Sequence, residues 1–148
     1  MKAEELWRKF CQEKNIPGEV PYEAWAFGGA PDALAELVCK GMKTGTASAY
    51  DLYALDDSEP LPKPETYSVI LNSREEAVCV IKTTKVTLVP FDQVTADHAF
   101  KEGEGDRSLA YWRKVHEEFF RDEFAAFGLE FHEKRLIVCE EFELVYLQ

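Results

Sequence analysis

Between Thr46 and Val89 four short runs rich in Val, Ile, Thr and Tyr follow one another, Thr46–Leu55, Tyr67–Leu71, Ala77–Ile81 and Thr84–Val89, with no helical periodicity separating them. Strands in direct succession predict a small, strongly bent sheet or barrel. They exclude a doubly wound parallel sheet, which needs a helix after each strand. The helical patterns lie outside this block. Ala3, Leu6, Trp7, Phe10 and Cys11 recur at i, i+3, i+4, i+7 and i+8, so a helix is predicted over Ala3–Lys14, stopped by Pro17-Gly18. A second is predicted over Pro31–Lys40, with Pro31 in its first turn, Leu34, Leu37 and Val38 as its buried stripe and Gly41 as its cap. Val94–Lys101 reads as a brief helix and Ser108–Phe127 as a longer one, with Trp112, His116, Phe120 and Phe124 on its apolar side; Arg135–Leu147 reads as a final strand. The class is α+β.

A length of 148 residues fits one domain, residues 1–148, with a single core. The 28 Asp and Glu against 17 Lys and Arg leave a net charge of -11, which disfavours a general grip on a phosphate backbone. Cys11, Cys39, Cys79 and Cys139 form no Cys-x-x-Cys pair, so buried free thiols are expected instead of a zinc site or a disulfide framework. No stretch approaches the roughly 20 apolar residues of a membrane span. The first residues carry no signal-peptide core, and a reducing cytoplasm is the expected setting. Asp56–Pro64, rich in acids and proline, reads as a surface loop.

The interval Leu37–Tyr50 carries Lys40 and Lys43 but no acid, a positive stretch in a negative chain that Lys82 and Lys85 could extend into a patch. Within it, Gly41-Met42-Lys43-Thr44-Gly45-Thr46 stands at a helix-to-strand junction, where amides and a cation can converge on an anion or polar ligand. A capped turn with a solvated lysine is the plainer alternative. Glu102-Gly103-Glu104-Gly105-Asp106 either caps the following helix or turns carboxylates inward, and no bound metal is expected there. On the last strand, period-two alternation places Glu140 in the apolar row of Val138 and Phe142. Either a bulge flips it outward or it is a paired interior carboxylate. Trp25 and Phe27 offer core packing or a stacking platform. His116 fits a hydrogen-bonded core imidazole, and Ser48 lacks the Gly-x-Ser-x-Gly context of a hydrolase elbow.

These segments resemble the ASCH domain family, relatives of the PUA-like RNA-associated barrels. The Gly41–Thr46 run resembles the family's Gly-x-Lys-x-x-Thr motif. Trp25-Ala26-Phe27-Gly28, the run Glu102–Leu109 and Trp112-Arg113 with His116 and Phe119-Phe120 resemble a bacterial branch with an EGEGD segment. The resemblance runs from about Trp25 to the C-terminus, leaving helix 3–14 as an appended element. It implies a bent β-barrel flanked by helices, with a cleft for a nucleoside-like molecule or RNA and no cofactor. Some members are amidohydrolases of N4-acetylcytidine and ribonuclease activity is known for others; a non-catalytic ligand-sensing or protein-interaction role is a third reading. Carried over by motif, Lys43, Thr46 and Glu102 would be catalytic, with Thr46 attacking the acyl carbon, Lys43 taking its proton and Glu102 relaying it. Trp25, Phe27, Gly41, Thr44, Gly45, Ser48 and Glu140 would bind the ligand. Where the family often continues Thr-x-Arg, this sequence has Thr46-Ala47-Ser48.

Overall fold

The computed structural model describes residues 1–55 and 60–147. Helix α1 (Ala3–Lys14) buries Leu6, Trp7, Phe10 and Cys11, the stripe its periodicity predicts, and Asn15 ends it in the left-handed conformation. Strand β1 (Tyr22–Trp25) follows, then α2 (Pro31–Cys39), β2 (Gly45–Ala49), the single-turn α3 (Tyr50–Tyr53), β3 (Tyr67–Leu71) and β4 (Ala77–Pro90). A 3-10 turn at Phe91–Gln93 leads into α4 (Ala96–Glu102), α5 (Leu109–Ala126) and β5 (Leu136–Leu147). The expected loop Asp56–Pro64 lies partly outside the described residues, and its remainder, 60–64, forms neither helix nor strand.

Among the described residues five strands form one sheet in the order β1-β3-β4-β5-β2, and only the β1–β3 pair of it is parallel. Strand β4 runs unbroken where two strands were expected, because the break expected at Lys82-Thr83 lies within its ladder with β5, which is bulged between Thr83 and Lys85 with a second irregularity at Val80/Ile81. Bulges bend a ladder and increase its twist, so the long β4–β5 ribbon curls the sheet. The expected strand Thr46–Leu55 is shorter, since the chain turns helical at Tyr50. The expected barrel does not close. Strands β1 and β2 are the two edges, four and five residues long, and among the described residues no ladder joins them. With β2 ending at Ala49 and β1 at Trp25, neither is long enough to supply the missing rungs.

Three apolar clusters hold the layers together. The α1 stripe packs on Val69, Ala77 and Val80 of β3 and β4. Helix α2 contributes Ala35 and Val38 to a cluster with Phe27, Ile70, Ile81 and Phe142. Helix α5 sets Trp112, Phe120 and Phe124 against Phe91, Phe131 and Ile137. Ile137 and Cys139 of β5 thus face α5, while Glu140 and Phe142 alternate to the opposite, concave side. All four cysteines are free; three are buried and Cys39 is half-buried. Among the described residues no helix is long and apolar enough to cross a membrane.

Candidate functional site

Two features meet beneath the curled sheet: a buried charge cluster and a cavity. The cluster begins at the end of α2. Gly41, at φ +77°, turns the chain, and the amides of Gly41, Met42 and Lys43 donate to the carbonyls of Val38 and Leu37. Thr44 N donates to Lys101 O at 2.7 Å. Those amides are therefore used in capping and in docking α4, and Gly41, Thr44 and Gly45 do not line the cavity. The turn sends Lys43 inward, where it is 1% exposed.

Opposite it, α4 is capped by Thr95, whose hydroxyl accepts from His98 N, and ends at Glu102. Gly103 follows at φ +74°, and a Cβ there would lie 2.3 Å from Met42 O, so only glycine lets the two segments touch. Across this contact Lys43 Nζ reaches Glu104 Oε2 at 3.0 Å and both Glu102 Oε1 and the Glu102 carbonyl at 3.4 Å. Its ammonium also lies 5.2 Å from the Phe27 ring centroid. Asp106 keeps the plainer role, accepting from Ser108 N, while Ser108 caps α5.

Glu102 is the hub. Its Oε2 accepts from Trp112 Nε1 at 2.6 Å and pairs with His98 Nε2 at 2.8 Å; its Oε1 faces His116 Nε2 at 3.3 Å. His116 places Nδ1 2.9 Å from the Trp112 carbonyl and stacks on the Trp112 ring at 4.2 Å. Both ring nitrogens of His116 thus face acceptors, the arrangement that suits an imidazolium. Burial opposes that charge, but the hydrogen bond and charge of Glu102, with the charge of Glu104, outweigh it and raise the His116 pKa. Burial likewise opposes ionisation of Glu102, yet hydrogen bonds from His116 and His98 and the charge of Lys43 hold its carboxyl well below the usual range. Lys43 and His116 thereby stand against the carboxyls of Glu102 and Glu104. Ligand atoms of Glu102, Glu104 and His116 lie within 4.8 Å of one another, but the Lys43 ammonium sits on both carboxylates and supplies the cation there.

The cavity, about 550 Å³, occupies the concave side of the sheet. Every strand contributes to its wall: Trp25 from β1, Thr46 and Ser48 from β2, Ser68 from β3, Thr83 from β4 and Glu140 from β5. Phe27 and Phe119 complete an aromatic side, Trp25 standing edge-on to Phe27 at 4.9 Å. Ser48 Oγ is 2.8 Å from the Tyr53 hydroxyl. Thr46 is the register partner of Glu140. Glu140 is interior, as one of its two expected placements required, but its partner is Thr83, whose hydroxyl donates to Oε2 at 2.6 Å. Burial pushes its carboxyl up; the Thr83 hydrogen bond opposes this and the charge of Glu23 adds to it.

The three residues assigned to catalysis divide between the two features. Lys43 and Glu102 meet in the cluster; Thr46 stands on the cavity wall, and among the described residues no side-chain hydrogen bond joins it to either. Phe27 touches both features. The residues that sequence reasoning left out of the site are His98, Glu104, Trp112 and His116. The signal for His98, Trp112 and His116 was the pair of i, i+4 relations, His98 to Glu102 and Trp112 to His116, which turn four polar groups to one point.

A family model, the ASCH domain, matches residues 23–146. The chain belongs to the ASCH domain family. It is 31% identical to an ASCH domain from Lactobacillus crispatus JV V101, covering 96% of this chain and 95% of that one with a TM-score of 0.84. A protein from Enterococcus faecalis V583 is 34% identical, with 97% and 88% covered and a TM-score of 0.86. An ASCH protein from Zymomonas mobilis shares the fold alone, at 13% identity over 82% and 69% and a TM-score of 0.52. Among curated proteins none matches. The family match starts within β1 and leaves out α1, although α1 packs on the ASCH sheet. The lysines that might have formed a patch on this ASCH domain each have an acidic partner: Lys40 pairs with Glu36, Lys82 with Glu65, Lys85 with Glu141 at 3.9 Å, and Lys43 with Glu102 and Glu104.

Proposed function

We propose that the concave cavity binds a small, nucleoside-like molecule. One observation carries this reading: the wall combines aromatic side chains with hydroxyls and carboxylates, and among the described residues no lysine or arginine lines it. Its volume of about 550 Å³ falls in the roughly 300–1,000 Å³ range of small-molecule pockets. Trp25, Phe27 and Phe119 would flank a flat base, and Thr46, Ser48, Thr83 and Glu140 would read its polar edge. A polyanion is disfavoured by the wall and by the net charge of -11. The four free thiols favour a reducing, cytoplasmic setting.

The activity in this reading is hydrolysis of an acyl amide, as on N4-acylated cytidine, with the Thr46 hydroxyl as the attacking group because it lies on the cavity wall. For Lys43 to take its proton, the ammonium must first pass one of its own to the adjoining Glu104 carboxylate, and Nζ must exchange one of its three oxygen contacts for Thr46 Oγ1 as substrate enters. Melting of the protein with cytidine and N4-acetylcytidine tests binding, and chromatography of released cytidine tests hydrolysis. Stabilisation by either nucleoside is expected, with turnover lost on Thr46→Ala. No stabilisation by any nucleoside, together with salt-sensitive binding of single-stranded RNA, would replace this reading with an RNA-binding one.

A further inference from the structure

We infer that the group this cavity selects is an organic cation, a flat amidinium, guanidinium or protonated ring nitrogen, held against the aromatic wall by the Glu140 carboxylate. The inference rests on the ligand-cavity reading and narrows it.

Glu140 is 7% exposed and lines the cavity. Thr83 occupies its Oε2, while among the described residues its Oε1 has no hydrogen bond and neither oxygen has an ion-pair partner. Glu102, the other buried carboxylate of the described residues, is surrounded by Lys43, His98 and His116. Half-buried acids elsewhere are matched too, Glu141 by Lys101 and Asp51 by Arg135. Burying a carboxylate without a cation is costly, and a chain that sets cations against Glu102, Glu141 and Asp51 leaves this one facing a space large enough for a ligand to bring its own.

The rest of the wall agrees. Glu23 on β1 and Glu123 on α5 bring two more carboxylates to the same cavity from different elements. Trp25, Phe27 and Phe119 line the cavity, and an aromatic ring attracts a desolvated cation placed over it. Thr83 fixes Oε2, so Oε1 is the oxygen left to accept an N–H from the ligand. Burial raises the Glu140 pKa, and a cation held at Oε1 would oppose that shift by favouring the charged form.

Three flat probes of nearly one shape separate charge from fit: benzamidine, benzamide and benzoate, each followed by calorimetry and thermal unfolding of the whole chain. Benzamidine is expected to bind at least about tenfold more tightly than benzamide, as befits a charge-assisted contact to a buried carboxylate, and benzoate to give no stabilisation. Glu140→Gln keeps the shape and should bring benzamidine down to about the level of benzamide measured on the same variant. A general pull from the net charge of -11 would survive that substitution. Equal binding of benzamidine and benzamide to the unaltered protein overturns the inference and leaves the cavity reading standing, as does benzamidine binding untouched by Glu140→Gln. Failure of all three probes to bind overturns both. The comparison on the unaltered protein decides the question even if the variant does not fold.

Discussion

Lys43→Met keeps most of the side chain's volume and deletes the ammonium that touches Glu104 at 3.0 Å and Glu102 at 3.4 Å. Breaking a buried pair by removing one partner costs about 3–5 kcal/mol, because the surviving charge is left uncompensated. Glu102 keeps His98, His116 and Trp112 as donors, which places the loss at the lower end, about 3 kcal/mol. For a chain of this length the melting temperature then falls by roughly 6–12 °C, at roughly 2–4 °C per kcal/mol. Adding Glu102→Gln removes the stranded charge, and the double variant should recover about 1–3 kcal/mol relative to additive losses. Urea unfolding of the four proteins measures the cycle. If Lys43→Met stays within about 0.5 kcal/mol of the parent, the ammonium does not hold the carboxylates and the charge balance assigned to the cluster is wrong.

Three further outcomes are expected. His116 has a raised pKa, so the stability it contributes is complete below about pH 6.5 and fades as pH rises through its folded value; that of Glu102, held low, is present above about pH 4.3 and fades as pH falls through its folded value. The urea midpoint should therefore peak between those limits, and His116→Gln should flatten its alkaline arm; an unaltered arm would show that another group sets it. Gly103→Ala meets Met42 O and a φ of +74°, whereas Gly41→Ala, at φ +77°, meets nothing within 4 Å. The first should lose about 2–5 kcal/mol and the second about 1–2 kcal/mol, and equal losses in urea would contradict the close contact. Trp112→Phe leaves Glu102 Oε2 without its 2.6 Å donor and should cost about 1–3 kcal/mol; a neutral result in the same assay would mean that the indole N–H is dispensable.

What the sequence made legible follows from how local each signal is. Helices α1 and α5 were readable because their stripes repeat within the helix, and β5 because its alternation is long. Strand β1 was not: Tyr-Glu-Ala-Trp is four residues long and is held by parallel pairing with Tyr67–Ile70, more than forty positions away. Lys82-Thr83 was read as a break between the strands Ala77–Ile81 and Thr84–Val89, yet Lys82 finds Glu65, and Thr83 turns inward to Glu140. In the site, the meeting of Lys43 with Glu102 was legible through the family resemblance, but the division of Thr46 from them was not, since it depends on how far the sheet curls. His116 is the buried imidazole its stripe foretold; that its second nitrogen faces Glu102 is a fact of tertiary packing.

The short edge strands have a last consequence. A fully zipped cylinder of this girth would fill with its own side chains and hold nothing. Because β1 and β2 stop before they meet, the cavity lies beside two strand edges whose peptide groups, among the described residues, no neighbouring strand claims. Extending β2 by straightening Tyr50–Tyr53 until it zips to β1 would close the sheet on itself, trading a container for a sturdier solid.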